Sequence, residues 1–115
     1  MTYLLVALGG AMGATLRYAI GMAVVFPFGT LLVNIIGSFA IGIAFVAFDH
    51  STRAHPFVLT GLLGGFTTFS AFSLDTLKLI EAGRIASAGL YAGASLGASV
   101  LAVFAGVMLA RGMWP

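Results

Sequence analysis

Long apolar stretches separated by short polar ones divide the chain into four elements. The apolar runs extend from about Tyr3 to Val25, Gly29 to Phe48, Phe57 to Ile80 and Ile85 to Leu109. Each is close to the ~20 residues that a helix needs to cross a hydrocarbon core ~30 Å thick. Pro27 falls between the first two runs, the polar segment from Asp49 to Pro56 separates the second from the third, and Glu81-Ala-Gly-Arg84 turns the third into the fourth. The pattern predicts an all-α integral membrane protein, with residues 1–115 forming a single four-helix transmembrane domain. The amino terminus has no basic segment, and its apolar run continues past signal-peptide length, so it reads as a retained span. Trp114 is placed to anchor the far end at the interface.

The third run does not read as an ordinary lipid-facing helix. From Gly61 to Asp75 it carries Gly61, Gly64 and Gly65, the hydroxyls of Thr67, Thr68, Ser70 and Ser73, and Phe66, Phe69 and Phe72. The glycines weaken helical continuity, and a backbone interrupted at membrane depth must find partners in protein, water or an ion. The expectation is a third helix broken near the midplane. At such breaks freed carbonyls suit small cations and freed N–H groups suit anions. A second reading stays open, in which the small residues only let helices approach closely.

Polar positions within the other runs fall into stripes. Thr30, Asn34 and Ser38 recur at spacings of four on the second helix, and Tyr91, Ser95 and Ser99 do so on the fourth. Gly89, Gly93 and Gly97 form a smooth ridge on the opposite side of that fourth helix, suited to close packing. In the first run Gly9 and Gly13 make a small-residue pair, and Arg17 extends the same face. An arginine at this depth either lines an aqueous vestibule and draws anions to its mouth, or satisfies carbonyls at a helix end. Asn34 offers two uncharged donors, which can bind an anion without trapping it, although buried asparagines also tie helices together. Phe69 and Phe72 share one side of their helix, and ring edges carry partial positive charge; hydrophobic filler is the alternative. The serines can equally bond back to their own helix.

Composition narrows the function. The chain is 61% hydrophobic and 7% charged, against about 25% charged in soluble domains. It has no cysteine, so disulfides and thiolate metal sites are excluded. The net charge of +2 comes from five scattered basic residues, with no cluster of the kind that binds nucleic acid. With four spans, Arg53 and Arg111 lie on one side and Lys78 and Arg84 on the other, while Arg17 lies inside the first span. Lysine and arginine bias sets orientation, so a chain with almost no bias is expected to insert both ways and to form an antiparallel, dual-topology homodimer. A single orientation fixed by other partners is the competing reading. No catalytic set is present: the acids are Asp49, Asp75 and Glu81, and His50 and His55 read as solvent-exposed loop residues.

Three blocks carry a resemblance: Gly9-Gly10, Gly13-Ala14 and Arg17-Tyr18; Gly29-Thr30 through Asn34 with Gly37-Ser38-Phe39; and Gly64-Gly65-Phe66-Thr67-Thr68-Phe69-Ser70-Ala71-Phe72-Ser73. In order and spacing the chain resembles the Fluc family of bacterial fluoride channels, also called CrcB proteins. The resemblance implies an antiparallel dimer with two fluoride pores and a sodium ion at the dimer centre, held by backbone carbonyls of Gly64 and Thr67 from both subunits. It implies Phe69 and Phe72 as pore phenylalanines, Asn34 and Ser70 as polar pore residues, Thr30, Tyr91, Ser95 and Ser99 along a polar track, and Arg17 at a vestibule. Asp75 stands where the family is expected to have glutamate, and Ala71 where it often has threonine. The implied function is passive, selective fluoride efflux across a bacterial inner membrane, giving fluoride resistance. A proton-coupled exporter of the small multidrug resistance type is the alternative, but it needs a carboxylate in the first helix, where this chain has none. A scaffold without transport explains the glycines but not the aligned donors.

Overall fold

The computed structural model describes residues 1–48 and 52–113. Asp49, His50 and Trp114 lie outside the described residues, and so does the expected interfacial anchor. The described helices are α1 (Thr2–Ala23), α2 (Phe28–Ala47), α3, wound as a π-helix over Pro56–Leu63 and as an α-helix over Gly64–Phe66, α4 (Phe69–Glu81) and α5 (Ile85–Met113). With α3 and α4 taken together, four spans are long and apolar enough to cross a membrane: Thr2–Ala23, Phe28–Ala47, Pro56–Glu81 and Ile85–Gly112. Between 11% and 22% of the most apolar part of each span is buried inside the protomer. The remaining apolar side chains, Tyr3, Leu90 and Leu101 among them, face outward. Water would not tolerate so much exposed apolar surface, whereas lipid does. The protein is a multi-pass membrane protein.

Helix ends follow local chemistry. The chain leaves α1 at Ala23, with Val24 extended, two residues before the expected limit at Val25; Pro27 bars the residue before it from helical backbone. At the other end α5 continues past Leu109 to Met113, with Arg111 in a last turn where a cation is favoured by the helix dipole. The turn from α4 to α5 closes by two nested bonds, Arg84 N–H to the Leu79 carbonyl at 2.9 Å and Gly83 N–H to that of Ile80 at 3.0 Å. Gly83 has φ +79, a left-handed conformation that glycine adopts without a Cβ penalty.

Two close crossings hold the spans together. α1 lies against α3 so tightly that a methyl on Gly13 would come within 2.6 Å of the Phe66 nitrogen. α2 lies against α5 in the same way, and a methyl on Gly106 would meet the Phe39 carbonyl and come within 3.1 Å of the Ile43 nitrogen. The ridge expected to pack, Gly89, Gly93 and Gly97, does not do so within the protomer: a methyl on any of them meets nothing within 4 Å. The close approach of α5 to α2 runs through Gly106 instead. His55 also departs from expectation, being half-buried at the start of the π-helix and not exposed in a loop. On the α4 side the core is Leu79, Ala88 and Tyr91, with Leu31 and Phe72 packed on it.

Candidate functional site

The site is organised by two residues between α3 and α4. Helical backbone stops at Phe66; Thr67 (φ −82, ψ 158) and Thr68 (φ −155, ψ 131) are extended, and helix resumes at Phe69. Thr67 N–H still reaches the Leu63 carbonyl at 3.0 Å, and Thr67 Oγ1 donates to the same oxygen at 3.0 Å. The next N–H turns away. Thr68 N–H donates to Asn34 Oδ1 at 2.9 Å, and Asn34 Nδ2 donates to the Thr68 carbonyl at 3.0 Å. Thr68 Oγ1 then caps α4 by accepting from Ala71 N–H at 3.2 Å.

These substitutions have a consequence for the carbonyls. The groups that would close ordinary turns onto Gly64 and Thr67 are the N–H groups of Thr68 and Ala71, and both are given to side chains instead. The carbonyl end of α3 and the amide end of α4 meet here, bringing partial negative and partial positive charge together. The neighbouring Gly65 carbonyl accepts from Arg17 Nε at 3.3 Å. Arg17 therefore reaches the end of a helix, as the second reading of that residue expected.

Beside the interruption lies a groove of about 380 Å³. Asn34, Phe69, Phe72, Ser95 and Ser99 line it, together with Gly64 and Thr67. The rings of Phe69 and Phe72 lie 5.4 Å apart at 49°, and Phe72 lies 5.5 Å from Tyr91 at 32°. Ser95 is only 4% exposed. The Oγ atoms of Ser95 and Ser99 are buried and make no hydrogen bond of ordinary geometry among the described residues. Unmet buried hydroxyls are costly, so a groove edged by two of them favours an occupant that accepts hydrogen bonds.

The other expected site residues are elsewhere. Thr30 and Arg17 line a second cavity, of about 320 Å³, with Asp75 and Lys78. Tyr91 stands between α4 and α5, donating its hydroxyl to Asp75 Oδ2 at 3.1 Å. That bond accounts for a carboxylate only 9% exposed. Ser70 is exposed and lies outside the groove lining, its Oγ 3.2 Å from Thr68 Oγ1. The sequence reading missed Thr68, which both caps α4 and holds Asn34. Its position immediately before the apolar-periodic run from Phe69 is a helix-start signature that could have found it.

A family model described as "CrcB-like protein, Camphor Resistance (CrcB)" matches residues 4–107. A relative from Roseobacter denitrificans is 48% identical over 121 residues, covering 96% of each chain. One from Ruegeria sp. is 50% identical over 122 residues, covering 98% of this chain and 97% of its own. A third, from Rhizobium meliloti, is 49% identical over 120 residues, covering 96% of each chain. All three carry the name "Fluoride-specific ion channel FluC". With nearly its whole length matched, by the family model and by relatives at about half identity, the chain belongs to the CrcB family.

Proposed function

We propose that the chain is a fluoride-selective channel, working as two oppositely inserted copies in the bacterial inner membrane and letting fluoride leave the cell passively. The observation that carries this reading is the groove beside Thr67 and Thr68, where neutral donors and the rings of Phe69 and Phe72 line one surface with no cationic side chain among the described residues. A small anion must exchange hydration for donors strong enough to hold it and weak enough to let it go. Asn34 commits one of its two amide N–H groups to the Thr68 carbonyl, which leaves the other for the ion. Ser95 and Ser99 add buried hydroxyls that make no hydrogen bond of ordinary geometry among the described residues, and Phe69 and Phe72 add rings whose edges carry partial positive charge. The relatives named as fluoride-specific channels make fluoride the ion of choice.

A sodium ion is the expected structural cation, and the backbone fits it. The carbonyls of Gly64 and Thr67 have lost their helical donors, and carbonyl oxygens are the ligands that hard cations take. Two carbonyls from one chain fall short of enclosing a cation; an oppositely inserted copy would bring the same pair. When bound, the ion would supply positive charge at the carbonyl end of α3. The chain's own part is to keep the helical donors away from those oxygens, which Asn34 and Thr68 do by accepting the two N–H groups.

Liposomes loaded with fluoride or chloride test the function directly. The purified protein should release fluoride while chloride stays inside, with no need for a proton gradient. Equal release of both ions, or release that requires a proton gradient, overturns the reading and favours an exporter.

A further inference from the structure

A third cavity, of about 320 Å³, is apolar where the groove is polar. Phe26, Phe28, Leu31, Leu79 and Leu90 form its walls, and among the described residues Arg84 is the only charged side chain that lines it. Its depth in the membrane follows from its ends. Arg84 belongs to the turn between α4 and α5, at the end of both spans. The lining continues along α5 to Ala94, which at ~1.5 Å per residue is ~15 Å, about half of the hydrocarbon core. Arg84 is exposed. Lys78 Nζ lies 5.8 Å from the centre of the Phe26 ring, so a second basic residue stands near one wall of the crevice.

We propose that this crevice binds one tail of an anionic phospholipid whose phosphate pairs with Arg84. An exposed cation at headgroup depth above an apolar slot one leaflet deep matches the two ends of a lipid. A zwitterionic lipid fits the slot equally well but offers Arg84 a phosphate already paired with its own choline. A second copy of the chain is the weaker occupant: among the described residues no acid lines the crevice to receive a protein cation. The site does not depend on which ion the groove carries.

Native mass spectrometry of the detergent-purified protein, titrated with phosphatidylglycerol or with phosphatidylcholine of identical tails, tests this. Phosphatidylglycerol should bind about fivefold more tightly, the factor expected for one basic residue at an anionic surface. Arg84→Gln should abolish the preference, Arg84→Lys should keep most of it, and Leu90→Trp should weaken both lipids by filling the slot. Equal binding of the two lipids, or an unchanged preference in Arg84→Gln, overturns the proposal. The chain has no cysteine, so Leu90→Cys gives a single labelling point. Disulfide linkage of two copies through Leu90→Cys in membranes would also overturn the proposal, whereas reaction of that thiol with a photoreactive lipid tail supports it.

Discussion

Asn34 holds the backbone of Thr68 at both its N–H and its carbonyl, and the same amide faces the groove. A single side chain thus shapes the interruption and offers a donor beside it. Replacing it with alanine removes two hydrogen bonds at about 1 kcal/mol each, so Asn34→Ala should lower stability by about 2 kcal/mol, read as thermal unfolding in detergent by circular dichroism. Asn34→Asp is a different perturbation. It sets a negative charge where the anion passes, at a cost of about 4 kcal/mol for charges ~4 Å apart near a protein surface. Fluoride flux from liposomes should fall more than ~100-fold; unchanged flux would leave Asn34 with a structural role only. Tyr91 poses a simpler case: Tyr91→Phe strips the buried Asp75 of its hydroxyl donor. The expected loss is about 2 kcal/mol, and a melting temperature equal to the parent's would show that another donor replaces it.

At the scale of the element, α5 carries glycines of two kinds. Gly106 sits where α2 leaves no room, whereas Gly93 faces open space. Gly106→Ala should therefore destabilise the protomer by about 1–3 kcal/mol through overpacking. Gly93→Ala should leave the fold intact, because it adds helix propensity without a clash in the protomer. Melting curves of the two variants in detergent separate the cases, and equal losses would mean that α5 packs differently from this structure. Thr68 marks the same distinction on the third span. Thr68→Val keeps the shape of the side chain but loses the cap on α4, a change worth about 1 kcal/mol.

For the molecule as a whole, the balance of basic residues bears on orientation. Arg53 and Arg111 on one side and Lys78 and Arg84 on the other leave almost no bias. A single cysteine placed near the amino terminus should be labelled from both faces of the membrane in comparable amounts. Two lysines added to the α4–α5 turn should drive most molecules into one orientation. If the single-cysteine chain without added lysines is labelled from one face only, the antiparallel dimer is lost, and with it the paired supply of carbonyls at Gly64 and Thr67.

The four spans were determined by the sequence alone, and their limits to within about four residues, because a bilayer demands an apolar length per span and the polar turns leave few places to put the ends. An interruption in the third span was expected from its glycines, but Gly64 and Gly65 are helical and the extended residues are Thr67 and Thr68, where Asn34 and not glycine content diverts the backbone. Tertiary structure decided how the polar positions divide. A spacing of four puts Thr30, Asn34 and Ser38 on one face of α2, yet Asn34 enters the groove while Thr30 enters the cavity with Arg17 and Asp75. Tyr91 and Ser95 divide between two cavities, Tyr91 donating to Asp75 beside the apolar crevice and Ser95 lining the groove. Periodicity places residues on a helix face, but which neighbour that face meets, and at what height along the helix, depends on crossings such as Gly13 against Phe66 and Gly106 against Phe39. Those contacts join residues far apart in the chain, so no local pattern contains them.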